Sequence, residues 1–124
     1  MDYIKLYADF LKRFIKVSRP LKVIFDCSDG TAGLVLKKIF KSHEFVTARF
    51  LNSKPDGNFP GHGPDPWKGR AMENLGRAVL KARADLGIIF DADGDRVFFV
   101  DDQGRPVSSD AAAYLMAWDL PGPI

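Results

Sequence analysis

The sequence has a single cysteine, Cys27, and no apolar run that approaches the roughly 18 residues of a membrane-spanning helix. One cysteine excludes an internal disulfide. Residues 1–5 carry an acid and a lysine where a signal peptide would need a basic start followed by an apolar centre. The expected location is therefore a reducing cytoplasm.

The sequence also lacks a large excess of either charge, because its 18 Lys and Arg residues nearly balance its 16 Asp and Glu residues and give a formal net charge of +2. Such a balance gives no reason to expect nucleic acid or a membrane surface as a partner. The length of 124 residues suits one compact domain that buries about two-thirds of its unfolded surface. We therefore expect residues 1–124 to form a single domain.

Hydrophobic periodicity predicts helices that alternate with strands. A first helix capped by Asp2 is expected to run to about Val17, with its apolar face in the core or against a neighbouring domain. The other predicted elements are strands at 21–25, 45–51, 86–90 and 97–100, helices at 31–40 and 71–82, a short extended piece at 106–107, and a last helix after Ser109 or Asp110.

This order of elements predicts an α/β fold. Strands separated by helices pair in parallel through right-handed crossovers, with helices on both faces of the sheet. The strand at 97–100 follows its predecessor after a short loop, so it should return antiparallel at an edge. The expected architecture is a three-layer-like domain with a mostly parallel sheet of about four strands.

Asp91, Asp93 and Asp95 alternate along the short segment between the last two strands, and Arg96 follows them. Two carboxylates about 4 Å apart repel by roughly 4 kcal/mol at an effective dielectric constant of about 20. A convergent trio therefore needs a cation or must partly protonate. Ligation by oxygen alone favours Mg²⁺ before Mn²⁺ or Ca²⁺. The sequence thus predicts a metal site at these three aspartates.

Three other structures could also carry an acidic segment of this kind. A plain hairpin turn needs less charge, and residues 102–104 supply such a turn downstream. An EF-hand would need glycine where Arg96 stands and glutamate where Asp102 stands. A phosphatase with an aspartyl acceptor would need a hydroxyl residue at Asp95 and a downstream lysine and acid, neither of which is evident. The metal loop remains the preferred interpretation.

Residues 52–67 form the longest irregular segment, rich in glycine and proline. A rigid connector, or a surface for another domain, is the preferred role for this loop. His62 has no partner visible in the sequence that would support catalysis, and His43, near the end of a helix, is expected to be solvated or to interact with the helix dipole. The glycines of residues 29–33 could expose N–H groups to a phosphate, but close packing of strand against helix is favoured. Cys27 and Ser28 lack a neighbouring base, so neither is expected to be a nucleophile.

Three segments resemble the second domain of the α-D-phosphohexomutases, the phosphoglucomutase and phosphomannomutase family. Residues 91–96 are similar to the metal loop of that family. Residues 23–33 are similar to its hydrophobic strand followed by a glycine-containing turn into a helix. Residues 54–60, followed by prolines and His62, are similar to its P-D-G-x-F-P loop. The resemblance covers nearly the whole chain, but only one domain of an enzyme that normally has four.

The resemblance implies an interconversion of hexose 1-phosphate and 6-phosphate. In the family, a phosphoserine of the first domain phosphorylates the sugar, the bisphosphate reorients, and the enzyme recovers a phosphate. Carried over by position, Asp91, Asp93 and Asp95 would hold Mg²⁺ together with a phosphoserine oxygen. Arg96 would help to neutralise the transferred phosphoryl group, although a salt bridge to a loop aspartate is an open alternative.

No segment similar to the serine loop of the family, T-x-S-H-N-P, is present, and none resembles its sugar-reading or terminal phosphate-binding segments. We therefore expect an excised or stand-alone second domain that is inactive alone, with the remaining mutase domains and a hexose phosphate as its partners. The alternative is a stand-alone module that binds a divalent metal or phosphate and acts through a partner. The sequence does not identify the sugar.

Overall fold

A four-stranded mixed sheet forms the centre of the structure, a computed structural model that describes residues 1–118 and 120–122. The strands lie in the order β2, β1, β3, β4, with β1 parallel to both β2 and β3, and β4 antiparallel to β3. This arrangement confirms the predicted mostly parallel sheet and its antiparallel edge strand. The strands are β1 (Leu21–Asp26), β2 (Val46–Leu51), β3 (Leu86–Phe90) and β4 (Val97–Val100).

Helices cover both faces of this sheet, as the order of elements predicts. One face is covered by α2, against which α1 packs, and the other face is covered by α3. The helices are α1 (Tyr3–Lys12), α2 (Ala32–Phe40), α3 (Ala71–Ala82) and α4 (Ser109–Trp118). Within residues 1–118 and 120–122, no helix is both long enough and apolar enough to span a bilayer.

The central strand β1 supplies apolar side chains to both layers. Ile24 packs with Leu75 and Val79 of α3, and all three are fully buried. Val23 and Phe25 point to the opposite face, where the ring of Phe25 stacks on those of Phe40 and Phe50. A strand buried on both sides reads as a continuous apolar run, because successive side chains alternate between the two faces.

The prediction that the first helix runs to about Val17 is wrong. Helix α1 ends at Lys12, and the N–H groups of Phe14 and Ile15 donate to the carbonyls of Leu11 and Lys12. These hydrogen bonds span three residues instead of the four of an α-helix, so they tighten the last turn and redirect the chain. The apolar periodicity thus continues past the end of the helix, into the segment that leads to β1.

The aromatic side chains of α1, and of the turn that follows it, lie outside the core of this domain. Ala8 is the buried residue of this helix, whereas Tyr7, Phe10 and Phe14 are exposed at 54%, 46% and 66%. Of the two roles expected for this face, burial in the core is therefore excluded for its aromatic side chains. Helix α4 is similar, because none of its residues is buried and its large apolar side chains, Tyr114, Leu115, Met116 and Trp118, are exposed.

The α3 layer gives a direct test of the core. We expect Leu75→Ala to lower the free energy of unfolding by about 2–5 kcal/mol, because Leu75 is fully buried and the substitution leaves a cavity. Leu80→Ala on the same helix is the control and should cost about 1 kcal/mol or less, because Leu80 is 53% exposed. Urea denaturation of both variants checks this, and equal losses would contradict the assigned core.

Candidate metal centre

The three predicted aspartates converge at the end of β3. Residues 91–96, here called the acidic loop, connect β3 to the antiparallel strand β4. One carboxylate oxygen each from Asp91, Asp93 and Asp95 can be chosen so that all lie within 4.8 Å of one another. Asp91 is buried and the other two are exposed. The structure therefore brings the whole predicted ligand set together, with one face open to solvent.

Asp91 is held in place by the loop that it begins. Its Oδ1 accepts hydrogen bonds from the backbone N–H groups of Gly94 and Arg96, both at 3.1 Å. Its Oδ2 accepts one from Arg96 Nε at 2.7 Å. Burial acts to raise the pKa of Asp91, but the hydrogen bonds from the backbone and side chain of Arg96 outweigh burial and lower that pKa. Asp91 is thus an oriented anion in a loop whose turn depends on the positive φ of Gly94.

Asp95 experiences the crowding that the sequence predicts. The close approach of the Asp91 carboxylate and the negative charges of Asp93 and Asp91 raise the pKa of its carboxyl group. The loop therefore concentrates more negative charge than it neutralises, despite Arg96. A cation seated among the three carboxylates would relieve this repulsion. A donor set of carboxylate oxygens alone fits a hard ion such as Mg²⁺.

Arg96 forms the salt bridge that the sequence left open as an alternative. Its Nε lies 2.7 Å from Asp91 Oδ2 and 3.8 Å from Asp95 Oδ1. The hydrogen bond with Asp91 raises the pKa of Arg96, which stays charged. The ion pair orients the Asp91 carboxylate. Because the side chain of Arg96 is still 53% exposed, part of its guanidinium group faces solvent. A contact with a phosphoryl group stays a prediction.

Two neighbouring segments fix the backbone of the acidic loop at Ala92. Its carbonyl accepts a hydrogen bond from the N–H of Thr31 at 3.0 Å, and its own N–H donates to the carbonyl of Pro64 at 3.1 Å. A Cβ atom at Gly30 would overlap the carbonyl oxygen of Ala92, and one at Gly33 would overlap that of Ser53. Close packing therefore accounts for both turn glycines, which is the role that the sequence favours over phosphate binding.

A buried polar cluster behind the acidic loop was missed from the sequence. Asp26, at 1% exposure, accepts hydrogen bonds from the backbone N–H of Ser28 at 3.0 Å and from Asn52 Nδ2 at 3.0 and 3.1 Å. His62 Nε2 lies 3.0 Å from Asp26 Oδ1. The hydrogen bond with Asp26 raises the pKa of His62. The sequence signal for this cluster was Asp26 itself, an acid that directly follows the apolar residues 23–25 at the end of β1.

Cys27 and Ser28 have structural roles, in agreement with the expectation that neither is a nucleophile. Cys27 is fully buried, and burial raises the pKa of its thiol to about 12, so the reactive thiolate does not form near neutral pH. The hydroxyl of Ser28 donates a hydrogen bond of 2.5 Å to the carbonyl of Phe90. This bond ties the turn after β1 to the residue that precedes Asp91.

These features define a class of domain: a mixed sheet between helical layers, with an acidic loop at the carboxyl end of a parallel strand. Residues 2–104 match the family model described as phosphoglucomutase/phosphomannomutase, alpha/beta/alpha domain II. The chain belongs to this family. Helix α4 lies beyond the matched residues.

Curated relatives agree with this assignment. The chain is 38% identical over 116 residues to a phosphomannomutase/phosphoglucomutase of Pseudomonas syringae pv. tomato, an alignment that covers 92% of this chain and 24% of the relative. It is 40% identical over 128 residues to a probable phosphoglucosamine mutase of Methanothermobacter thermautotrophicus, covering 99% and 26%. The chain thus spans about a quarter of the length of these relatives.

A solved structure supports the same fold. A phosphoglucomutase/phosphomannomutase family protein from Burkholderia thailandensis superposes with a TM-score of 0.83 at 32% sequence identity. The match covers 94% of this chain and 25% of that one. The architecture described here is therefore that of domain II in a longer protein of this family.

The hydrogen bonds of the acidic loop predict different costs for two of its aspartates. Without metal, Asp91→Asn should lower the free energy of unfolding by about 1–3 kcal/mol, because it weakens the acceptor for Arg96 and for two backbone N–H groups. Asp95→Asn should leave stability unchanged or raise it, because it removes repulsion. Chemical denaturation in the presence of a chelator compares them, and the reverse order would indicate a plain turn.

Proposed function

We propose that this chain is the Mg²⁺-binding domain of a phosphohexomutase that interconverts hexose 1-phosphate and 6-phosphate through a phosphoserine and a bisphosphate intermediate. The convergence of Asp91, Asp93 and Asp95 at the end of β3 carries the proposal. Membership of the domain II family supplies its context. The names of the relatives include phosphomannomutase/phosphoglucomutase and probable phosphoglucosamine mutase, so the proposal leaves the sugar open.

Asp91, Asp93 and Asp95 would hold the ion. Three carboxylates fill about half of an octahedral shell, so water and a phosphate oxygen of the phosphoserine would complete it. The bound ion would neutralise charge on the phosphoryl group as negative charge spreads over its oxygens. The buried Asp91 would supply a fixed ligand. The exposed Asp93 and Asp95 would lie on the open side of the loop, where the substrate would approach.

Arg96 has two tasks in this proposal. Its Nε orients the Asp91 carboxylate, which is how a neighbour of a ligand tunes a metal site. The exposed part of its guanidinium group would face the transferred phosphoryl group and add positive charge there. Arg96 is therefore our candidate catalytic residue, in addition to its ion pair.

The partners in this proposal are the remaining domains of the mutase and the hexose phosphate. The chain spans about a quarter of its relatives, so the phosphoserine, sugar-binding and phosphate-binding segments would come from elsewhere. The exposed apolar faces of α1 and α4 suit contacts with those domains. We also keep the cytoplasm as the proposed location, in line with the single buried thiol.

Metal binding can be tested on this chain by calorimetry and by NMR. Mg²⁺ should bind weakly, shift the resonances of residues 92–96, and raise the melting temperature of the wild-type chain. Asp93→Asn should abolish the shifts, and Asp95→Asn should lose the thermal gain. Asp102→Asn, in an exposed turn two residues beyond β4, is the matched control and should behave as wild type. Equal thermal gain in Asp95→Asn and wild type would remove Asp95 from the ligand set.

A second test concerns activity. The purified chain with Mg²⁺ should convert neither glucose 1-phosphate nor mannose 1-phosphate to the 6-phosphate, because it supplies no phosphoserine and no sugar site. A coupled assay for 6-phosphate, with a complete phosphohexomutase as the positive control, measures this. If the chain converts either substrate, and if Asp93→Asn abolishes that conversion, the chain is not inactive in isolation and an autonomous enzyme is favoured.

A further inference from the structure

His62 and Asp26, which are far apart in sequence, form a buried hydrogen-bonded pair inside the domain. The side chain of His62 is 5% exposed and that of Asp26 is 1% exposed, with Nε2 and Oδ1 3.0 Å apart. His62 lies in residues 52–67, here called the long loop, and Asp26 ends β1. Among the described residues, Nδ1 of His62 has no hydrogen-bond partner. A buried pair of this kind strongly favours one placement of the loop that carries it.

This pair connects with the acidic loop by two routes. Asp26 accepts from the backbone N–H of Ser28, whose hydroxyl donates to the carbonyl of Phe90, directly before Asp91. On the other side, two residues after His62, the carbonyl of Pro64 accepts from the N–H of Ala92. The two routes therefore reach the acidic loop just before its first aspartate and between its first and second aspartates.

A second buried acid strengthens the attachment of the long loop. Asp29, at 7% exposure, accepts from the N–H of Gly61 through Oδ2 at 2.8 Å, and its carbonyl accepts from the N–H of Asp56 at 2.8 Å. Asp26 of β1 and Asp29 of the following turn are the ionisable groups whose charges act on His62. A positive charge on His62 is thus favoured by two acids from outside the long loop.

We propose that His62 is a positioning residue: in its protonated form it holds the long loop against Asp26 and so fixes the backbone of Ala92 between the metal-binding aspartates. The consequence for Mg²⁺ affinity rests on the proposed function of the acidic loop, whereas the consequence for Ala92 does not. His62 touches neither metal nor substrate in this proposal. It acts through Pro64 and through Asp26.

The proposal gives a pH dependence of definite sign. The hydrogen bond with Asp26 raises the pKa of His62 above its ordinary value of 6.5, so the stabilisation is complete below that value and is lost as the pH rises through the raised pKa. Ligand carboxylates show the opposite behaviour, because they lose protons and bind cations more strongly as the pH rises. A decrease in Mg²⁺ affinity toward alkaline pH would therefore report on His62.

The experiment compares the wild-type chain with His62→Gln and with His43→Gln as the matched control. His43 is the other histidine, and its Nδ1 accepts from the N–H groups of Phe45 and Val46, near the start of β2. Hydrogen exchange of the Ala92 amide, corrected for the intrinsic rate at each pH, is measured by NMR from pH 6 to 9. Amides at the centre of β1 serve as the reference for global unfolding, and Mg²⁺ affinity is measured on the same samples.

We expect protection of the wild-type Ala92 amide to fall by about tenfold as His62 loses its proton, the scale of one charged hydrogen bond, while β1 protection stays constant. Mg²⁺ affinity should fall in parallel by about threefold to tenfold. His62→Gln should show the low values at every pH, and His43→Gln should follow wild type. These results would distinguish a positioning role from a purely structural one. A purely structural role would change the amide protection of β1 and of Ala92 together.

The proposal is overturned if Ala92 protection in the wild type is independent of pH, or if His62→Gln retains the full protection of the Ala92 amide at pH 6. Should His62→Gln fail to fold, the wild-type profile decides alone, by whether its midpoint matches the His62 pKa measured by NMR on the imidazole ring. Should the wild type bind no Mg²⁺ at any pH, the proposed metal function fails, and Ala92 exchange still decides the role of His62.

Discussion

Buried carboxylates at the carboxyl ends of two adjacent parallel strands are the constraint on which this domain depends. Asp26 ends β1 and Asp91 follows β3, and both are almost inaccessible to solvent. A buried anion is tolerated only where donors surround it, so the loops beyond these strands must bring N–H groups to them. Ser28 and Asn52 do so for Asp26, and Gly94 and Arg96 do so for Asp91. The loop conformations follow from this requirement, including the positive φ of Ser28, Asn52 and Gly94.

The two anions have different surroundings and therefore different roles. Asp26 is enclosed, with His62 as a buried hydrogen-bonding partner, and it joins three segments of chain. Asp91 has Arg96 as its partner but stands beside the exposed Asp93 and Asp95, so the acidic loop keeps an excess of negative charge. Structural attachment and the excess of negative charge are thus divided between neighbouring sites at one edge of the sheet. The backbone contacts of Ala92 with Thr31 and Pro64 connect them.

Most of the fold was predictable because its elements have clear periodicity. The bounds of α3, β3 and β4 agree with the predicted segments, since their apolar patterns stop where polar or turn residues begin. Helix α1 was overestimated, because its apolar spacing continues through Phe14 and Ile15 although the hydrogen bonds there are those of a turn. Periodicity records which residues are apolar, and it does not distinguish a face buried in the domain from one that stays exposed.

The sequence by itself determined the alternation of strands and helices, and it placed Asp91, Asp93 and Asp95 in one short loop between β3 and β4, whereas their convergence depends on how the backbone of that loop is held. Only the tertiary structure decided the pairing of Asp26 with His62 and the packing of Gly30 against Ala92. These contacts join residues that lie 36 or more positions apart, and their partners are chosen by where the parallel strands end. Local patterns specify what short-range geometry can enforce, whereas long-range polar contacts depend on the register and order of the whole sheet.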